Sequence, residues 1–222
     1  MKIKHHAIFK NLDANVINWN KLRNDPVEEH YYISKSKNEY IKTCNKHKNN
    51  ELIQNIKAQL IINNISNIFS LGSGRSCLEY YLGLENFSVT ISDISDSIQR
   101  LKNFNLFKNV YQTNFFDSIQ NISNSQTAIL LGRIDTELSD IMLNELFEAI
   151  NSKKIQYVIF IPAQILTLKS FLIEFYIRLK SFFNKDKLVF CGYTRSYKYL
   201  NSMWNEFYNS QKFDNFYLLT RK

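Results

Sequence analysis

Glycine and proline are scarce in this chain. Its 222 residues include Gly 5 and Pro 2, where average usage would give roughly 15 and 11. That excludes collagen-like, proline-rich and glycine-linker architectures. It also argues against an all-β chain punctuated by Gly/Pro turns. Cysteine is sparse too. Cys44, Cys77 and Cys191 are too widely spaced for a disulfide framework or a zinc pattern, which fits a reducing compartment. The four His and the scattered acids have no metal-ligand spacing, so no metal is expected. Long apolar runs are missing as well. The most apolar stretch, from Tyr157 to Leu168, is too short to span a bilayer and is interrupted by Pro162 and Gln164. The opening Met-Lys-Ile-Lys-His-His has no apolar signal core. The expectation is a soluble, cytoplasmic protein with no membrane span.

What is present is enough for one large core: 45% hydrophobic and 22% charged residues. The net charge of +8 permits nucleic-acid contact. The basic residues are nevertheless dispersed in small groups such as Lys42-Lys46-Lys48 and Lys153-Lys154. They accompany an excess of Asn and Ile, so a solvated surface is favoured over a nucleic-acid patch.

Residues 1–50 read as a polar, aromatic-dotted extension with helical or irregular structure, able to serve as a lid. Residues 51–222 alternate between two periodicities. Glu51 to Asn63 carries a helical stripe through Leu52, Ile53, Ile56, Leu60 and Ile61. Ile68 to Leu71 is β-like and ends in Gly72-Ser73-Gly74. A helix from Ser76 to Leu84 follows, with Gly83 as its stop signal. Strands are predicted at Phe87–Ile91, Val110–Thr113, Ala128–Leu131 and Val158–Ile161. Helices are predicted at Ser97–Phe107, Thr136–Ile150 and Leu166–Phe183. Leu188–Cys191 and Phe216–Leu219 are the last two strands. Alternating strands and helices imply an α/β fold, a mostly parallel sheet covered on both faces in a three-layer α/β/α sandwich. The final strands lack a clear crossover helix, so one of them is expected to run antiparallel.

In such a sheet, ligands bind at the carboxyl ends of the strands. Gly72-Ser73-Gly74-Arg75-Ser76 lies there, where glycine admits a ligand to the backbone at a helix N-terminus. Asp93 ends the next strand, 19 residues after Gly74, where a carboxylate can accept both ribose hydroxyls of an adenosine-type cofactor. The plainer alternative is a tight turn, with Asp93 capping the next helix. A dinucleotide fingerprint would need a third glycine where Cys77 stands.

The order of strand, Gly turn, helix, strand and Asp resembles the class I S-adenosylmethionine-dependent methyltransferases over residues 50–222. The resemblance implies a seven-stranded Rossmann-like methyltransferase sheet with an antiparallel last strand, and S-adenosylmethionine as cofactor, with S-adenosylhomocysteine as product. It assigns the methionine part of the cofactor to Gly72, Ser73 and Gly74, and the ribose to Asp93, with Ile94 beside the adenine. Asn114 and Phe115 would also flank the adenine, and Gly132 would lie next to the reactive methyl. Two positions depart from the pattern. Ser70 stands where the family places an acid for the cofactor's amino group, and the third small residue of the turn is Ser76 in place of Gly. Ser70 through its hydroxyl, Glu79, or the extension are the candidates to compensate.

No Asn/Asp-Pro-Pro-Tyr/Phe motif follows the fourth strand, and no Pro-Cys pair is present. Under the resemblance, an oxygen or nitrogen of a small-molecule acceptor, sugars and metabolites included, is therefore the expected methyl target. An RNA methyltransferase and a catalytically silent cofactor-binding scaffold are the alternatives. His30 and Asp135 are the candidate bases. Each has a plainer reading, His30 as a structural or exposed histidine and Asp135 as the cap of the next helix. Tyr31, Arg133, Gln164, Tyr193 and Arg195 are the candidate acceptor contacts.

Overall fold

The computed structural model describes all residues except 10, 11, 13–15, 123–126, 185 and 186. The chain runs β1 (Lys2–Ala7), α1 (Trp19–Asn24), α2 (Lys37–Lys46), α3 (Asn50–Ile62), β2 (Asn67–Leu71), α4 (Cys77–Leu84) and β3 (Ser88–Asp93). It continues through α5 (Gln99–Phe104), β4 (Asn109–Gln112), α6 (Phe115–Gln120), β5 (Thr127–Gly132), α7 (Asp140–Ser152) and β6 (Tyr157–Ile161). It closes with α8 (Leu168–Asn184), β7 (Val189–Arg195), α9 (Tyr197–Trp204), β8 (Tyr208–Lys212) and β9 (Tyr217–Arg221). Seven strands form one sheet in the order β4-β3-β2-β5-β6-β9-β8. The first five are parallel, and β9 runs antiparallel to both of its neighbours.

The near-continuous apolar strands explain the layering, because side chains alternate between the two faces of a sheet. Ile68, Ala128 and Leu130 enter one core with Ile56 and Leu60 of α3 and Leu82 of α4. Phe69, Leu71, Ile129 and Leu131 enter the other with Leu143, Leu146 and Phe147 of α7 and Trp204 of α9. Each fully buried aliphatic or aromatic side chain contributes about 1.5–3 kcal/mol. The parallel strands bring the loops after β2, β3, β4, β5 and β6 to one edge of the sheet.

The structure corrects several sequence expectations. The outer strand of the antiparallel pair is β8 (Tyr208–Lys212), not the Leu188–Cys191 segment. That segment belongs to β7, which pairs antiparallel with β1 in a separate two-stranded ribbon. Residues 1–50 therefore contain a strand as well as helices. Gly83 lies inside α4, and the left-handed turn comes later, at Asn86 (φ 70°). The Ser97–Phe107 helix is a 3-10 turn at Asp96–Ile98 followed by α5, stopped by Asn105 in the left-handed region. α7 begins later than expected. Its N-cap is Ser139, whose hydroxyl accepts the Met142 N–H, so Asp135 does not cap it.

Among the described residues no helix is long and apolar enough to cross a membrane. Nor, among them, does any group of three or more His, Cys, Asp or Glu side chains come together to hold a metal ion.

Candidate active site

The turn after β2 forms the floor of a cleft. Gly72 has φ +62°, and a Cβ there would lie 2.8 Å from both Ile134 Cγ2 and Phe115 Cε1, so only glycine fits. The Gly74 N–H donates to Asp93 Oδ2 at 2.8 Å, and the Ser95 N–H donates to Asp93 Oδ1 at 2.8 Å. The Asp93 carboxylate thus ties the first strand's turn to the second strand's end. An ionised carboxylate has about four acceptor sites, so it retains capacity for a ligand. Ser76, at the relaxed third position, adopts the left-handed φ of 56° that a glycine would take most easily, and its hydroxyl donates to Ser73 Oγ at 2.9 Å. Beneath the turn, Ser70 Oγ donates to Glu79 Oε1 at 2.7 Å. Both are buried, and burial pushes the Glu79 carboxyl up to about 7.

Two cavities flank this turn. The smaller, about 160 Å³, is lined by Asp93, Ile94, Asn114, Phe115, Phe116 and Met142, with Gly72 at its edge. Its walls are mainly apolar, which suits a planar heteroaromatic ring. The Asn114 side chain caps α6, accepting the Asp117 N–H at 3.0 Å. The larger cavity, about 260 Å³, is polar. Ser73, Gly74, Arg75, Gly132, Arg133 and Gln164 come from the sheet edge. His30 and Tyr31 come from the N-terminal region, and His5, Ala7 and Cys191 from the β1–β7 ribbon. Arg133 holds φ +64° there, a strained conformation for a residue with a side chain and one that clusters at functional sites.

Trp19, Arg23 and Glu137 line both cavities. Sequence reading missed the first two and treated the third only as part of a helix start. The Arg23 guanidinium stacks 4.8 Å from the centre of the Trp19 ring. It lies 3.9 Å from Asp93 Oδ2, and a Cβ on Gly74 would be 2.7 Å from it. Arg23 is 8% exposed, and its Nε is buried without a partner. Such a cation is placed to receive an anion. The surface of Glu137 opens onto the two cavities, with protein enclosing it elsewhere. That desolvation pushes its carboxyl to about 8. His30 moves the other way. Burial first, then the positive charges of Arg75 and Arg133, push it down to about 4, leaving a neutral imidazole at pH 7.

Other predicted site residues lie elsewhere. Asp135 is completely buried. Its Oδ1 accepts the Ala163 N–H at 2.7 Å, and burial lifts its carboxyl to about 6. Arg195 is also completely buried and bonds the carbonyls of Asp135 and Leu138 and the Asp140 carboxylate. Tyr193 carries Lys2 over its ring at 4.5 Å. These three fix the loop after β5 and the ribbon, and none lines either cavity. Cys44 and Cys77, far apart in sequence, bring their sulfurs to 2.8 Å where α2 meets α4. No short-range pattern signals that pairing.

No protein-family model matches the sequence, and no curated protein matches it. Solved structures do resemble it. Magnesium protoporphyrin IX methyltransferase (ChlM) from Synechocystis PCC 6803, with bound SAH, is 10% identical, covers 92% of this chain and 93% of its own, and has a TM-score of 0.57. The pyocyanin biosynthetic protein PhzM is 13% identical over 71% of this chain and 50% of its own, with a TM-score of 0.50. Human N-acetylserotonin methyltransferase (ASMT), in complex with SAM, is 15% identical over 92% of this chain, and the match spans 66% of that protein's length, with a TM-score of 0.48. Strand order, antiparallel closing pair and shared fold agree: the chain has the class I S-adenosylmethionine-dependent methyltransferase fold.

Proposed function

We propose that the protein is an S-adenosylmethionine-dependent methyltransferase acting on an oxygen or nitrogen of a small molecule. The observation that carries this is the paired cavity at the glycine turn, apolar beside Ile94 and Phe115 and polar beside Arg133 and His30. Arg23 lines both halves and lies 3.9 Å from Asp93, which lines the apolar one. Ile94, Phe115 and Phe116 would enclose the adenine. Asp93 would accept the ribose hydroxyls, and the backbone of Gly72 to Gly74 would follow the methionine part. Arg23, buried with an unpartnered Nε, would take the cofactor's carboxylate. The SAH bound to the structurally similar ChlM supports this reading.

The cofactor, when bound, supplies an electrophilic methyl group on a sulfonium. The residues of this chain align the acceptor and manage its proton. Arg133 and Gln164 offer hydrogen bonds to a polar or anionic acceptor, and Tyr31 offers a ring face and a hydroxyl. His30, neutral at pH 7, is a group in this cavity that can accept the acceptor's proton, and the His5 imidazole lines the same cavity. Asp135 fits a positioning role better than a catalytic one, because it is buried against Ala163.

Titration calorimetry with S-adenosylmethionine and S-adenosylhomocysteine tests the reading. Binding of both is expected, and binding of neither rejects it. One observation favours the alternative of a silent cofactor-binding scaffold: no acid faces the cleft from position 70, where Ser70 is bonded to Glu79 instead. Binding without methyl transfer across a panel of hydroxyl and amine acceptors would support that alternative.

A further inference from the structure

The long helix α8 is packed inside out. The side chains it buries fully are polar: Ser170, Glu174 and Ser181 are each 6% exposed, with Ile177 half-buried beside them. Glu174 is held by the His6 N–H at 3.1 Å, by the His6 ring at 2.8 Å and by Arg178 Nε at 2.8 Å. Its outer face is apolar. At 3.6 residues per turn, Leu168, Leu172, Phe175, Leu179 and Phe182 form the centre of one stripe, and Phe171, Tyr176 and Phe183 form its edges. Leu168, Phe182 and Phe183 are 76%, 78% and 75% exposed. With about 200 Å² per large side chain, the stripe leaves roughly 1,000 Å² of apolar surface in water. The largest apolar patch of an ordinary monomer is about 300–600 Å², so this face is built to be covered.

The charges along its borders say by what. Lys169 and Lys180 lie along one edge of the stripe and Arg178 along the other, all exposed. The only acid of the helix, Glu174, faces inward. With Arg178 bonded to Glu174, the outward surface is apolar at its centre and cationic chiefly along the Lys169 and Lys180 edge, on a chain of net charge +8. A second copy seated here would bring like charges together. Anionic headgroups complement the margins while acyl chains receive the phenylalanines, the arrangement of a helix lying in a membrane interface. Its 17 residues span about 25 Å.

We propose that α8 docks the protein on the surface of an anionic lipid bilayer, lying in the plane of the interface. The proposal is independent of the chemistry assigned to the cleft. Vesicle flotation tests it with the full-length protein. The protein should float with vesicles of phosphatidylcholine mixed with phosphatidylglycerol, and at least tenfold less with phosphatidylcholine alone. The double variant Phe175→Ser/Phe182→Ser changes only exposed positions and should keep its melting temperature while losing flotation more than tenfold. Lys169→Glu/Lys180→Glu should abolish the preference for anionic vesicles. Wild type that stays in the soluble fraction with anionic vesicles overturns the proposal. So does sedimentation showing a dimer that Phe175→Ser/Phe182→Ser dissociates, since a second copy would then cover the face.

Discussion

Ser70 donates its hydroxyl to Glu79 Oε1 at 2.7 Å directly beneath the glycine turn. The methyltransferase pattern places an acid at residue 70. Here the acid sits on α4, and the serine reaches it. Burial holds the Glu79 carboxyl near 7, so the folded state keeps a proton that the unfolded chain releases near 4.5. The stability this proton contributes is fully present below about pH 4.5 and is lost as pH rises through 7. Asp135, held near 6 by burial, acts in the same direction. His30, held near 4, acts oppositely, and its contribution is lost only as pH falls below 6.5 toward 4. Between pH 6.5 and 8 the buried carboxyls therefore dominate. Glu137, held near 8, titrates in the same window and the same direction. The melting temperature should fall by several degrees over that window. Glu79→Gln keeps an acceptor for Ser70 and should remove only part of the fall; Glu79→Gln/Glu137→Gln should remove most of it. An unchanged slope in that variant would place the titration elsewhere.

Arg23 and Asp93 set the cofactor prediction. Arg23 lies 3.9 Å from Asp93, and its Nε has no partner. If Arg23 receives the cofactor's carboxylate, Arg23→Ala should weaken S-adenosylhomocysteine binding at least tenfold, since a charge-assisted hydrogen bond contributes about 1.5–3 kcal/mol. If the side chain only occupies the cleft, the same variant should bind more tightly. Asp93→Ala should also lose more than tenfold. Because Asp93 anchors the N–H groups of Gly74 and Ser95, Asp93→Asn, which keeps an acceptor oxygen, separates turn geometry from ribose contact. Calorimetry beside thermal melting reads both.

His30 should remain neutral well into the acid range. Burial disfavours its charged form, and the nearby Arg75, Arg133 and His47 add to the repulsion of its proton. NMR titration of the His30 ring in the free protein should give a midpoint near 4, and Arg133→Gln should move it upward. A midpoint near 6.5 would show that the cleft does not perturb it, and one above 7 would remove its claim as a base that is free at neutral pH. For methyl transfer, His30→Gln should lower kcat by about 10²-fold.

The sheet was legible because its signals are local. Apolar runs such as Ile129-Leu130-Leu131, glycine at strand ends and Asp93 after the second strand all follow from short-range periodicity and turn chemistry. The ribbon was not legible, because β1 and β7 meet across most of the chain, and the Lys2–Ala7 segment reads as a polar extension until its partner is known. Arg23 and Trp19 were missed for the same reason. They belong to the six-residue helix α1, and only tertiary packing lays it over the turn. Arg195 shows the reverse error. An Arg among aromatics suggested a ligand contact, yet its guanidinium is consumed by two carbonyls and Asp140.

The ribbon's seat depends on one residue. Gly192 in β7 has φ +118°, and a Cβ there would lie 1.6 Å from the Thr136 carbonyl oxygen, to which the Tyr193 N–H donates at 2.8 Å. β7 can lie this close to the loop after β5 only without a side chain. Gly192→Ala must push the ribbon off that loop, costing on the order of 3 kcal/mol and lowering the melting temperature by roughly 6–12 °C. Because the ribbon places His5, Ala7 and Cys191 in the larger cavity and the loop places Glu137 there, cofactor affinity should fall with it. Gly132→Ala is the control. A Cβ at Gly132 meets nothing within 4 Å, so its melting temperature should stay within about 2 °C of wild type. Equal losses in the two variants would mean that general glycine replacement, rather than the approach of β7 to Thr136, governs stability here.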